Sequence, residues 1–224
     1  MTTTLRLHHF PICPYSRKLR LVLAEKGLDA ELVLREPWRR EDDLIAMNPA
    51  VEVPVLEVDG LVLAESVAIA EYLEERFPDV RLGGHDAASR AEVRRLALWF
   101  DTKFAREVTD LVWRQKLIYR LKRSGTPNTA ALRAGQENIR GHLDYIAYLT
   151  HHRNWLAGES LSLADLTAAA HLSVLDYLGD VPWEANAEAK EWYARIKSRP
   201  SFRPLLKDKI PQQPPADHYA DLDF

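Results

Sequence analysis

The sequence predicts a small α/β domain followed by an all-α domain, on two observations. Strand-like runs occur only in the first third of the 224 residues, interleaved with helical patterns. From Asp86 onward no comparable strand signal follows, and long helical patterns are separated by Gly, Pro and Asn punctuation.

Taken in order, Leu5, Leu7 and Phe10 bracket a run that alternates like a half-buried strand, broken by Pro11 and Pro14. Residues 15–26 place Leu19, Val22 and Leu23 on one helical face, and Gly27 stops the helix as a C-terminal cap. Residues 31–34 read as a second strand, parallel to the first because a helix separates them. Residues 53–58 and 61–63 flank Asp59-Gly60, a pair suited to a tight hairpin turn. A helix follows over 66–77, ended by Pro78. This β-α-β then β-β-α order is thioredoxin-like. Helices are then expected over 87–123, 129–152, 163–178 and 185–198, giving domains at 1–79 and 86–206 and a tail at 207–224. Ser162 and Asp165 fit a helix-capping box, with Leu161 and Leu166 closing a hydrophobic staple.

Charge and composition narrow the function classes. Thirty basic against 33 acidic residues give a net charge of -3, with no pull toward nucleic acid or an anionic membrane. The first ten residues lack the pattern of a secretory signal, and Asp165, His171 and Asp176 interrupt the most apolar stretch, so a cytoplasmic protein is expected. The single cysteine, Cys13, cannot form an internal disulfide. His8, His9, His151 and His152 form adjacent pairs whose side chains diverge on a helix, and no metal site is expected.

Three other features carry functional readings. Cys13 stands at a helix N-terminus with Arg17 and Lys18 close by, which favours thiolate; the alternative is a small residue in a loop. Trp38, in Glu36-Pro-Trp-Arg-Arg40, is either a binding anchor or a cover for the sheet edge or a dimer contact. The chain end has a proline spacer leading to His218, Tyr219, Asp221, Leu222 and Phe224, which fits docking on the body or on a partner, with a mobile terminus as the alternative.

Three motifs together resemble the glutathione S-transferase superfamily across nearly the whole chain: residues 11–18 opening a helix, Val53-Pro54 before the hairpin, and Glu65-Ser66 at the next helix start. The resemblance implies a cis Pro54, backbone pairing of Val53 with glutathione, and γ-glutamyl binding by Glu65 and Ser66. A helix N-terminus suits a carboxylate on physical grounds as well. It also places Cys13, or alternatively Ser16, where related enzymes carry a catalytic side chain. The chain departs from the family pattern at Glu52, whose charge opposes the glycyl carboxylate by about 1 to 4 kcal/mol if nothing relaxes. A side chain swung into solvent is the alternative.

With this altered pocket, Trp38 and the tail resemble a narrower group, the GST-like cell-division proteins of alphaproteobacteria. That resemblance implies a homodimer without cofactor or catalysis that binds FtsZ filaments at the division site and alters their curvature, with Trp38, Asp221 and Leu222 on the binding surface. A glutathione-dependent transferase or thiol transferase using Cys13 is the competing reading.

Overall fold

The computed structural model describes residues 3–222. Met1, Thr2, Asp223 and Phe224, the last among the tail residues singled out above, lie outside the described residues. The first unit is a four-stranded sheet ordered β2-β1-β3-β4, from β1 (Leu5–His9), β2 (Glu31–Leu34), β3 (Val55–Val58) and β4 (Leu61–Ala64). β1 runs parallel to β2 and antiparallel to β3, which pairs antiparallel with β4. Alternation explains the facing: Leu5 and Leu7 are buried while Arg6 between them is exposed.

Helix α1 (Pro14–Glu25) buries Leu19, Val22 and Leu23 as expected. It ends in a tight cap: the Leu28 and Gly27 amides donate to the Leu23 and Ala24 carbonyls, with Gly27 at φ 66°. A 3-10 turn at Pro37–Arg39 and the short helix α2 (Asp42–Met47) lead to β3, and α3 (Ser66–Arg76) follows the hairpin. These two short elements between β2 and β3 were not expected.

The second unit is helical throughout. The run expected as one helix over 87–123 is a continuous path of changing pitch: α4 (Ala87–Leu98), a wide π-helical segment Trp99–Thr109, α5 (Asp110–Trp113), a second π segment Arg114–Ile118, and α6 (Tyr119–Lys122). Arg123, left-handed at φ 51°, ends it. α7 (Thr129–His152) returns along this path. At their crossing a Cβ on Gly135 would meet Val112 Cγ2 at 2.8 Å, so only glycine permits this approach.

α8 (Leu163–Tyr177) is buried along almost its whole length and packs against α1, joining the two units. Asp165 at its start accepts the Ser162 amide at 3.0 Å, the Leu156 amide at 2.9 Å and the Trp192 indole at 3.0 Å. Ser162 and Asp165 form the expected capping box, and the Ser162 hydroxyl also donates to the Asp165 carboxylate at 2.8 Å. α9 (Ala187–Lys197) and α10 (Arg203–Leu206) close the bundle. No helix among the described residues is long and apolar enough to cross a membrane.

Candidate functional site

The N-terminus of α1 opens onto a cleft of about 790 Å³ between the two units. Pro14 in the first turn fits a helix start, where its missing amide hydrogen costs nothing. Cys13, only 4% exposed, sits just before it with Sγ 3.7 Å from the Val53 carbonyl. Burial pushes the thiol pKa up, and the Glu52 charge adds to the rise.

The expectation that Arg17 and Lys18 would favour thiolate is thereby corrected, because both cations are committed elsewhere. Lys18 bonds to Asp101, and Arg17 turns toward α8 and the chain end. Ser16 is fully buried and its hydroxyl accepts the Phe10 amide at 3.3 Å, a structural use. The Tyr15 hydroxyl donates to the Asp101 carbonyl at 3.3 Å, and burial pushes its pKa up too.

Opposite Cys13, the Val53-Pro54 bond is cis, and Val53, Pro54, Glu65 and Ser66 all line the cleft with Cys13. Ser66, buried, opens α3; Glu65 is exposed. Val51 and Glu65 have φ of 56° and 72°, conformations that cost L-residues about 1–3 kcal/mol and persist where the surroundings dictate them. Glu52 lies exposed on the same wall, its carbonyl held by Asn48 Nδ2 at 3.0 Å. Arg40, Arg114 and Lys122 also line the cleft, so the acid expected to repel a carboxylate shares its space with three cations.

Trp38 forms part of the cleft wall and is half-buried, its ring edge-on to Phe10 at 5.1 Å. The tail is docked on the body. Tyr219 has no exposed surface, lies 5.2 Å from Tyr177 ring to ring, and its hydroxyl accepts from Arg17 at 2.8 Å. His218 Nε2 is 2.9 Å from Asp176 Oδ1, and the Ala216 amide donates to the Tyr177 carbonyl at 2.9 Å. Asp221 is exposed and Leu222 half-buried just beyond.

The five residues of the expected glutathione pocket are therefore brought together, whereas Trp38 and the pair Asp221 and Leu222 are not in one cleft. Among the described residues, no tail residue lines it. Trp38 and Tyr219 instead pack against one apolar cluster that includes Phe10, Ile12 and Tyr177. Sequence reasoning missed Arg40, Trp113 and Ile118 as cleft residues and Arg17 as the partner of the tail; the latter pair is 202 positions apart and leaves no local signal. His8 is held by Glu57 at 2.7 Å, and no cluster able to hold a metal occurs among the described residues.

Comparison with known proteins agrees with this architecture. Residues 7–81 match the family described as glutathione S-transferase, N-terminal domain, and residues 115–200 match glutathione S-transferase, C-terminal domain. FtsZ-localized protein A of Caulobacter vibrioides is 48% identical over 228 residues, covering all of both chains. The crystal structure of a glutathione S-transferase from Rhodospirillum rubrum superposes with a TM-score of 0.97 at 55% identity, over 99% of this chain and 100% of the other. The structure of FzlA from C. crescentus gives 0.95 at 48%, with the same coverage. With both domain families matched and a full-length relative at this identity, the chain belongs to the glutathione S-transferase superfamily.

Proposed function

We propose that this chain is an FtsZ-binding protein that acts as a homodimer at the division site, recognising filaments through Trp38, Asp221 and Leu222 without a cofactor. Full-length similarity to a protein named for its localisation with FtsZ supports the partner. The observation that carries the reading is the docked tail: Tyr219 is fully buried, leaving Asp221 exposed two residues on. Cys13 supports it from the other side, since a buried thiol with a raised pKa is a poor nucleophile.

Exposed apolar side chains on neighbouring elements favour dimerisation. Leu61 and Val62 on β4, Val67 on α3 and Leu98 on α4 are 39–48% exposed. Two filament sites on one dimer would bridge protofilaments by effective concentration, a route to altered curvature even from weak single contacts. Co-sedimentation with polymerised FtsZ tests the reading. The chain is expected in the pellet, and Trp38→Ala or removal of residues 217–224 is expected to leave it in the supernatant while folded. Full pelleting by both variants refutes the site.

A glutathione-dependent transferase or thiol transferase is the second reading, favoured by one observation: the cleft keeps Cys13, the cis Val53-Pro54 bond and Glu65-Ser66 together. Calorimetry at millimolar glutathione separates the two, because heat of binding is expected only for the second.

A further inference from the structure

Arg17 is the largest charged side chain with no exposed surface, and its environment is unusual for one. Nε donates to the Pro11 carbonyl at 2.8 Å. Nη1 donates to the Ser173 hydroxyl at 2.9 Å and the Tyr219 hydroxyl at 2.8 Å, and Nη2 to Asp208 at 3.1 Å and the Leu205 carbonyl at 3.4 Å. A guanidinium has five donors in a planar fork, and here they join α1, α8, α10 and the tail. Lysine, with three donors on one nitrogen, cannot span this set. A buried charge is retained only when so paired, and part of this pairing comes from the chain end, through Asp208 and Tyr219.

The tail side of this contact is equally specific. Tyr219 receives the Arg17 bond while its own hydroxyl donates to the Leu205 carbonyl at 3.2 Å. The Tyr219 amide bonds to Ala216 at 2.9 Å and the Asp221 amide to His218 at 3.0 Å, so residues 216–221 form a turn fixed at its centre by the buried ring. The Asp221 backbone is tied into that turn, and Leu222 follows it directly.

We propose that Arg17 and Tyr219 form a latch that positions the chain end for filament binding, a pair of positioning residues that act through Asp221 and Leu222. The proposal rests on the filament-binding reading above. The latch reduces the conformational entropy lost when the tail meets its partner, so opening it weakens binding without touching a contact residue.

The test uses the full chain with Tyr219→Phe, Tyr219→Ala and Arg17→Lys, with Asp221→Lys as the contact control. FtsZ co-sedimentation is read beside amide hydrogen exchange at residues 216–221 and the thermal melt. Tyr219→Ala, which loses both the buried ring and the bond to Arg17, is expected to bind filaments at least roughly tenfold more weakly, the size of a lost hydrogen bond to a charged group being the lower bound. Its amides at positions 219 and 221 should exchange faster at a temperature where the body stays folded. Tyr219→Phe, which keeps the ring in its socket but loses the bond to Arg17, is expected to bind between wild type and Tyr219→Ala, in step with exchange at these amides, a grading that general destabilisation would not produce. Should Tyr219→Ala be unfolded, graded loss from wild type through Tyr219→Phe to Arg17→Lys gives the same answer. Wild-type binding by all the latch variants, with Asp221→Lys impaired, overturns the latch and leaves the filament reading standing. Wild-type binding by Asp221→Lys and Trp38→Ala overturns the filament reading, and the latch with it.

Discussion

The two sides of helix α1 differ in what their polar groups serve. At its tip Cys13 faces the cleft while the two cations of its own helix turn, Arg17 and Lys18, bond elsewhere, and burial pushes its pKa up. One turn on, Arg17 and Arg20 both bond to Asp208 at 3.1 and 2.7 Å, and Arg17 reaches Tyr219 as well. Positive charge that would activate a thiol from the tip is invested on the flank, in holding the chain end. The difference teaches that a retained cleft geometry and a retained chemistry are separate properties, since electrostatics can move while the backbone stays.

The largest effect expected from this contrast is the flank's contribution to the pH dependence of stability. His9 is 6% exposed, and burial, reinforced by the Arg20 charge, lowers its pKa from 6.5 to about 4. The unfolded chain therefore takes up this proton first. Stability should be full above pH 6.5 and fall as pH drops toward 4, by about 3 kcal/mol in the limit. Urea titrations across that range should show the loss, and His9→Gln should flatten it. An unchanged slope in that variant would mean that the flank does not tune His9.

Next in size is the cleft wall. Trp38→Ala removes a half-buried indole packed on Phe10, and FtsZ co-sedimentation should weaken by about 2 kcal/mol, roughly thirtyfold, as for an interface hot spot. Unchanged binding would reduce Trp38 to a cover for the apolar cluster. The smallest effect belongs to Glu52. Glu52→Gln should strengthen any residual glutathione binding by about tenfold or less, because Arg40, Arg114 and Lys122 already offset the acid. Calorimetry of the two forms measures it, and identical heats would show that the carboxylate points away.

How much of this was legible in the sequence follows from interaction range. The cap at Gly27, the Asp59-Gly60 hairpin and the helix opened by Ser162 depend on neighbours within a few residues, and their residue types announce them. The turn at Pro37–Arg39 and helix α2 are too short to build a periodic pattern. Across the pitch changes beyond Leu98, buried Phe100, Phe104, Val108 and Val112 recur every fourth position, as they would in an ordinary helix. For the site, the residues of the pocket motifs share one cleft because each sits at a strand or helix end, where local signals are strong. The destination of Arg17 did not, since its partners at positions 173, 205, 208 and 219 are assembled only by the packing of α8 and the tail on α1.

The most direct measurement compares the two sides of α1 in one assay: co-sedimentation with polymerised FtsZ of Cys13→Ala beside Asp221→Lys. Recognition by the chain end requires that Cys13→Ala pellet as wild type does and that Asp221→Lys stay in solution. The opposite pattern, with the thiol variant lost from the pellet and the tail variant retained, would contradict the account.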